Sequence, residues 1–183
     1  ETFHLHFTSM NIPLIVRPLN PGEEVEVVNL VARSFNEFIA PDFPDEGIEE
    51  FFGYSNPRAL IKRSDGNHFV LVAEAQGSIA GMIEIREMRH VSMLFVDKAF
   101  HRRRIGKELF RAAIDRIKSE SRPPKTVTVH SSRFAVPFYE SLGFVRTEEE
   151  KIIHGVIHIP MALALSAGKA NLRPRSVRES VNQ

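Results

Sequence analysis

Three strand-length apolar runs crowd together between His68 and Asp97, and their spacing restricts the fold more than any other feature of the chain. "HFVLVAEA" (His68–Ala75) passes through "QGS" into "IAGMIEIREM" (Ile79–Met88). After Arg89, "HVSMLFVD" (His90–Asp97) alternates and then becomes continuously apolar. Connections this short predict antiparallel hairpins. The next segment changes period. From Arg103 to about Glu120, the residues Ile105, Leu109, Ala113 and Ile117 recur every four positions and form one apolar stripe of a helix, which "SRPPK" ends.

The rest of the chain adds elements on either side. "PLIVRPL" (Pro13–Leu19) is an apolar run before the turn signal "NPG" and reads as a strand. Val27, Leu30, Val31, Phe35 and Phe38 fall at helical spacing behind acidic residues that suit a helix start. "IEEFFGYSNPRALIKRS" reads as short helical pieces broken near Gly53 and Asn56–Pro57. "TVTVH" (Thr126–His130) is a strand, and "SSRFAVPFYESLGF" is a short helix closed by Gly143. Two strand-like runs follow, Phe144–Thr147 and Ile152–Leu165. Gly155 and Pro160 interrupt the second and predict a bulge or an edge there. The order is strand, helices, three strands, long helix, strand, helix, two strands. That is one α/β domain over residues 13–165, with a mixed, mainly antiparallel sheet flanked by helices. A length of 183 residues fits one domain with a sizeable core.

Composition narrows the function classes. Residues 1–12 read as an N-terminal extension, with Met10 a candidate native start. Residues 166–183 hold four basic residues, one acidic residue and few apolar ones, and read as a mobile basic tail. The absence of cysteine excludes disulfides, thiolate catalysis and Cys-ligated metal. A formal net charge of +1 argues against a protein built on bulk attraction to nucleic acid. No apolar run approaches the ~20 residues of a membrane span. The first residues lack the basic and apolar regions of a secretory signal. The expected location is cytoplasmic. No metal is expected: His154 and His158 are four apart, but in a strand-like run that lacks the helical geometry for zinc.

"HRRRIGKEL" (His101–Leu109) stands between the third strand and the apolar stripe. A helix start exposes up to four unpaired N–H groups and the positive end of the macrodipole, so anions bind there. Arg102, Arg103 and Arg104 oppose that dipole unless something negative sits on it. A solvated basic helix start and an RNA patch are the other readings. No interleaved aromatic and basic residues on neighbouring strands support the RNA patch. Gly106 permits close approach by a ligand or another backbone.

Two segments, "HVSMLFVDKAFHRRRIGKELF" and "VTVHSSRFAVPFYESLGFVRTEEE", resemble the GNAT superfamily of acetyl-coenzyme A-dependent N-acetyltransferases. The first resembles the family's signature strand, pyrophosphate loop and helix, whose loop usually reads Gln/Arg-x-x-Gly-x-Gly/Ala. The second resembles its later strand, short helix and closing Tyr…Gly-Phe. The loop departs from the pattern in two places: His101 stands where Gln or Arg is usual, and Arg104 stands where the first Gly is usual. Gly106 matches. Backbone donors survive any side chain, so a cradle over His101, Arg102, Arg103, Arg104, Ile105, Gly106 and Lys107 is still expected.

The resemblance implies a single GNAT-like domain with acetyl-CoA as cosubstrate. The backbone of Leu94, Phe95 and Val96 would hold the pantetheine arm like an added strand. The Leu94 N–H would face the acetyl carbonyl. Arg102, Arg103 and Lys107 could meet phosphates. Ser132 stands where many relatives carry a cofactor-contacting Asn; a turn-forming Ser is the alternative. Tyr139 matches the family's tyrosine near the cofactor sulfur, where a phenol can protonate a departing thiolate. His90 is the candidate base, acting directly or through water. Residues 90, 92 and 94 share a face if no bulge intervenes. Glu84 and Glu87 are alternative bases, and their odd separation lets at most one face the cofactor. His130 is a weaker candidate.

The expected reaction is acetyl transfer by direct attack of a primary amine, on a small molecule or an exposed amino group. A non-catalytic acyl-CoA-binding module on the same fold is the alternative. No nucleic acid or membrane partner is expected, and a homodimer is compatible with the chain. Glu37, Asp42, Asp45, Glu46, Glu49 and Glu50, with phenylalanines between them, would form an acidic mouth suited to a cationic amine, or else solvated loop carboxylates.

Overall fold

The computed structural model describes residues 14–64 and 67–165, so the expected extension and basic tail lie outside the described residues. In chain order the elements are β1 (Leu14–Pro18), α1 (Glu24–Phe38), α2 (Asp45–Tyr54), α3 (Pro57–Arg63), β2 (Phe69–Ala75), β3 (Ser78–Arg86), β4 (His90–Val96), α4 (Ile105–Lys118), β5 (Thr126–Ser131), α5 (Val136–Ser141), β6 (Val145–Arg146), β7 (Lys151–Ile153) and β8 (Val156–Ala164). The expected mixed α/β fold is observed. Strands follow the order β1-β2-β3-β4-β5-β8-β6, with β7 also on β8. Every pairing is antiparallel except β4 with β5.

The sheet separates two cores. On one face α4 lays its stripe, Ile105, Leu109, Ala113 and Ile117, against Ile83, Ile85, Val127 and Val129. On the other, Val27, Leu30 and Val31 of α1 and Leu60 of α3 meet Val70, Val72, Met82 and Met93. Seven consecutive residues of β3, Ile79–Ile85, are buried because both faces of that strand are covered.

Local differences from the expected elements have plain causes. Gly53 does not break α2; the break comes at Asn56–Pro57, where the Asn56 side chain accepts the Ala59 N–H at 2.9 Å and caps α3. Gly155 marks a turn rather than a bulge. His154 (φ 50°) and Gly155 (φ 73°) form a two-residue hairpin turn that divides the last run into β7 and β8. Pro160 lies within β8, where the strand changes partner from β7 to β6, and it pairs with His130 on its other side.

Two irregularities create the site. The parallel pairing of β4 and β5 covers only His90↔Thr128 and Val91↔Val129, so the strands part beyond Val91. On its other edge β4 carries one extra residue: Glu84 and Ile85 of β3 pair with Met93 and Val91, leaving Ser92 unmatched. This bulge reverses the alternation. Val91 packs toward α4 and Met93 toward α1. The expected sharing of one face by residues 90, 92 and 94 is therefore broken, and His90 and Leu94 lie on opposite faces.

Candidate active site

The gap between β4 and β5 opens into a cleft of about 460 Å³ lined by Leu94, Phe95, Val96, the His101–Lys107 region, Phe134, Phe138 and Tyr139. The Asp97 N–H bonds the Ala80 carbonyl of the β3 side at 2.9 Å. The backbone polar groups of an antiparallel strand alternate sides, so those of Val96 and Leu94 point the other way, into the gap. The Val96 carbonyl bears this out. It accepts from Ser34 Oγ at 3.3 Å and lies 2.9 Å from His101 Nε2.

The basic loop turns sharply before α4. Arg102 and Arg104 both adopt φ 62°, the left-handed region that glycine enters freely. Arg104 thus keeps the backbone conformation expected of the glycine usual there, and its side chain is exposed. Among the described residues, no acceptor takes the N–H groups of Arg102 through Lys107. Unpaired amides at a helix start are the kind of group that can receive an anion. Arg102, Arg104 and Lys107 line the cleft, whereas Arg103 turns over the Phe100 ring, 5.4 Å from its centroid. Gly106 serves packing: a Cβ there would meet the Phe138 ring at 3.2 Å. Replacing Arg104 by Gly removes a left-handed side chain and is expected to raise stability by about 1 kcal/mol, read by urea denaturation. Lower stability would show that the arginine side chain makes compensating contacts.

A second cavity of about 370 Å³ continues from the cleft. Ile39, Leu94, Phe95, Ala135 and Tyr139 line both. Tyr139 is 4% exposed and packs edge-on against Phe138 and Phe144. Burial pushes its phenol up from the ordinary value, so it stays protonated. His90 lines the second cavity, with Nδ1 2.8 Å from Thr128 Oγ1. Burial first, then the Arg86 and His130 charges, pushes His90 down to about 4. His130 and His158, also at this cavity, are lowered by burial as well. All three imidazoles are neutral at pH 7.

The other candidates take structural positions. Glu84 is 1% exposed and bonded to Arg63 at 2.9 Å and to the Tyr54 hydroxyl at 3.2 Å. Glu87 lies in the exposed turn after β3 and pairs with Arg89. Ser132 Oγ accepts the Ala135 N–H at 3.3 Å, which is the turn-forming role, and the residue borders the second cavity. Of the six expected mouth carboxylates, all exposed, Glu50 lines the cavity and Glu37 is paired with Lys98. Arg86, which the sequence did not single out, and His158, weighed there only as a metal ligand, both line the second cavity. Their signal is cross-strand: Arg86 pairs with His90 in register, and the His130 and His158 rings lie 4.9 Å apart.

Among the described residues, no group of three or more His, Asp or Glu could hold a metal ion, and no helix is long and apolar enough to cross a membrane.

Residues 39–165 match the model of the acetyltransferase (GNAT) domain family. Among solved structures, the fold is similar to a GCN5-related N-acetyltransferase from Rhodopseudomonas palustris at 22% identity, with TM-score 0.72, covering 85% of this chain and 99% of that one. It is also similar to the PaiA N-acetyltransferase from Thermoplasma acidophilum in complex with coenzyme A, at 17% identity and TM-score 0.69, covering 84% and 100%. A third is the ribosomal-protein-S18-alanine N-acetyltransferase from Escherichia coli, at 18% identity and TM-score 0.62, covering 87% and 99%. Among curated proteins, none matches the sequence.

Proposed function

The chain belongs to the GNAT acetyltransferase family, and from that premise we propose that it acetylates a primary amine, of a small molecule or an exposed amino group, by direct attack. Acetyl-CoA is the cosubstrate of this family and supplies the activated acetyl group when bound. The observation that carries the reading is the meeting of cleft and cavity at Leu94 and Tyr139. A thioester and an amine entering from opposite ends would reach each other there.

The residues present fit the cosubstrate. The free amides of residues 102–107 and the Arg102, Arg104 and Lys107 side chains suit its phosphates. The outward-facing backbone of Leu94 and the Val96 N–H suit its amide-bearing arm, whereas the Val96 carbonyl is already engaged by Ser34 and His101. The Leu94 N–H would donate to the acetyl carbonyl as charge develops on its oxygen. Tyr139, buried and protonated, would give its proton to the leaving sulfur. His90, neutral and on the amine side, would take the ammonium proton through water. It lies on the face opposite Leu94, so direct transfer is disfavoured. A cavity on the amine side favours turnover over a purely acyl-CoA-binding role.

Thermal shift with acetyl-CoA, followed by free-thiol release over an amine panel, tests the proposal. The expected results are a saturable shift that shrinks with added salt and amine-dependent thiol release. No shift would remove the cosubstrate assignment. A shift with no release on any amine would leave only the binding-module reading.

A further inference from the structure

The floor of the amine-side cavity collects polar side chains from four strands: Arg86 of β3, His90 and Ser92 of β4, His130 of β5 and His158 of β8. Arg86 stands directly opposite His90. The His90 and His130 rings meet edge-to-face at 4.9 Å, and His130 and His158 do the same. Among the described residues, Arg86 Nε and His158 Nδ1 are buried without any hydrogen-bond partner, whereas Ser92 stands beside the Tyr54 hydroxyl. Buried polar atoms are nearly always paired, so two orphans at one cavity mark a place where a ligand completes the bonding.

The charge on this floor has one sign. Among the described residues Arg86 forms no ion pair, whereas the nearby carboxylates are engaged. Glu84 is held by Arg63, Glu87 by Arg89 and Glu148 by Lys151. Glu50 lines the cavity but is exposed. Neutral imidazoles offer donors and acceptors without adding charge. What remains is one half-buried guanidinium with its Nε unpaired at the cavity floor.

Resting on the acetyl-transfer reading above, we propose that the acceptor is an amine that also carries a carboxylate, and that Arg86 binds this carboxylate on the histidine-lined floor while the amine points to Leu94. A single guanidinium fork matches a single carboxylate in geometry and in charge. Of the six mouth carboxylates, all exposed, only Glu50 reaches the cavity. The negative group would also offset the Arg86 charge that weakens His90 as a base.

The test compares glycine, β-alanine, 4-aminobutyrate and 5-aminovalerate, each against its carboxamide, by thiol release. For the preferred length, wild type should favour the carboxylate in kcat/KM by roughly tenfold or more. Arg86→Gln should abolish that preference, mainly through KM for the carboxylate, while its thermal shift with coenzyme A matches that of wild type. Equal rates on both partners in wild type, or a preference that survives Arg86→Gln, overturns the proposal. If Arg86→Gln does not fold, as its melting curve reports, Arg86→Lys keeps the charge without the fork and should retain only part of the preference; full retention overturns it. If coenzyme A binds but no amine is acetylated, the transfer reading fails separately. Saturation-transfer NMR with 5-aminovalerate then reads the carboxylate site directly. A signal in wild type that Arg86→Gln removes supports the site. No signal, or an equal one in both proteins, overturns it.

Discussion

Replacing Tyr139 by phenylalanine is expected to lower kcat by roughly a hundredfold or more while coenzyme A binding persists. The change removes one hydroxyl and keeps the ring. The ring makes the packing: it lies 5.4 Å from Phe138 and 5.3 Å from Phe144, inside the core beneath α4. No hydrogen bond to the phenol is found among the described residues, so the variant leaves no orphaned partner. Stability should therefore be unchanged or slightly higher, and the thermal shift with coenzyme A should match wild type. The hydroxyl's remaining task is chemical. Burial holds it protonated well above its ordinary range, so it remains a proton donor through the physiological range and beyond. Free-thiol release under saturating amine and acetyl-CoA measures the loss. Near-wild-type turnover in Tyr139→Phe would remove Tyr139 as the acid and leave water to protonate the sulfur.

The parts of this fold that sequence shows and the parts it hides differ in range. The β2–β4 hairpins and the α4 stripe were legible because each depends on a period repeated over several residues. The strand–loop–helix arrangement around the basic run was legible because an apolar strand, a basic run and an amphipathic helix are adjacent in the chain. The Ser92 bulge was not, since one extra residue leaves no mark on the pattern of β4 alone; it exists only relative to β3. That residue moved His90 to the face opposite Leu94 and changed its expected relation to the chemistry. Arg86 is hidden for the same reason, being opposite His90 only once the register is known. The two-residue turn at His154–Gly155 was hidden differently, because a glycine interrupting an apolar run reads equally as a bulge. Arg104 shows the reverse case: a side chain that departs from the usual glycine sits in the backbone conformation glycine would take.

Glu84 carries the second large effect, which belongs to stability. Its carboxylate is 1% exposed and held by Arg63, whose side chain is 17% exposed. Arg63 also stacks on the Tyr54 ring at 3.6 Å and donates to the Tyr54 carbonyl at 2.6 Å. Arg63→Ala therefore strands a buried charge and frees the end of α2 at once. The expected loss is about 3 kcal/mol or more, read by urea denaturation. Adding Glu84→Gln to Arg63→Ala should restore part of it, since a neutral amide needs no counter-charge. No recovery in the double variant would mean that the Tyr54 contacts, and not the stranded carboxylate, dominate. Phe51 and Tyr54 line the amine-side cavity, so Arg63→Ala should also raise KM for the amine. The single variant Glu84→Gln separates structure from chemistry. Glu84 does not line the amine-side cavity, so turnover should stay within a few-fold of wild type. A collapse of turnover in a variant that remains folded would instead make Glu84 the base and remove His90 from that role.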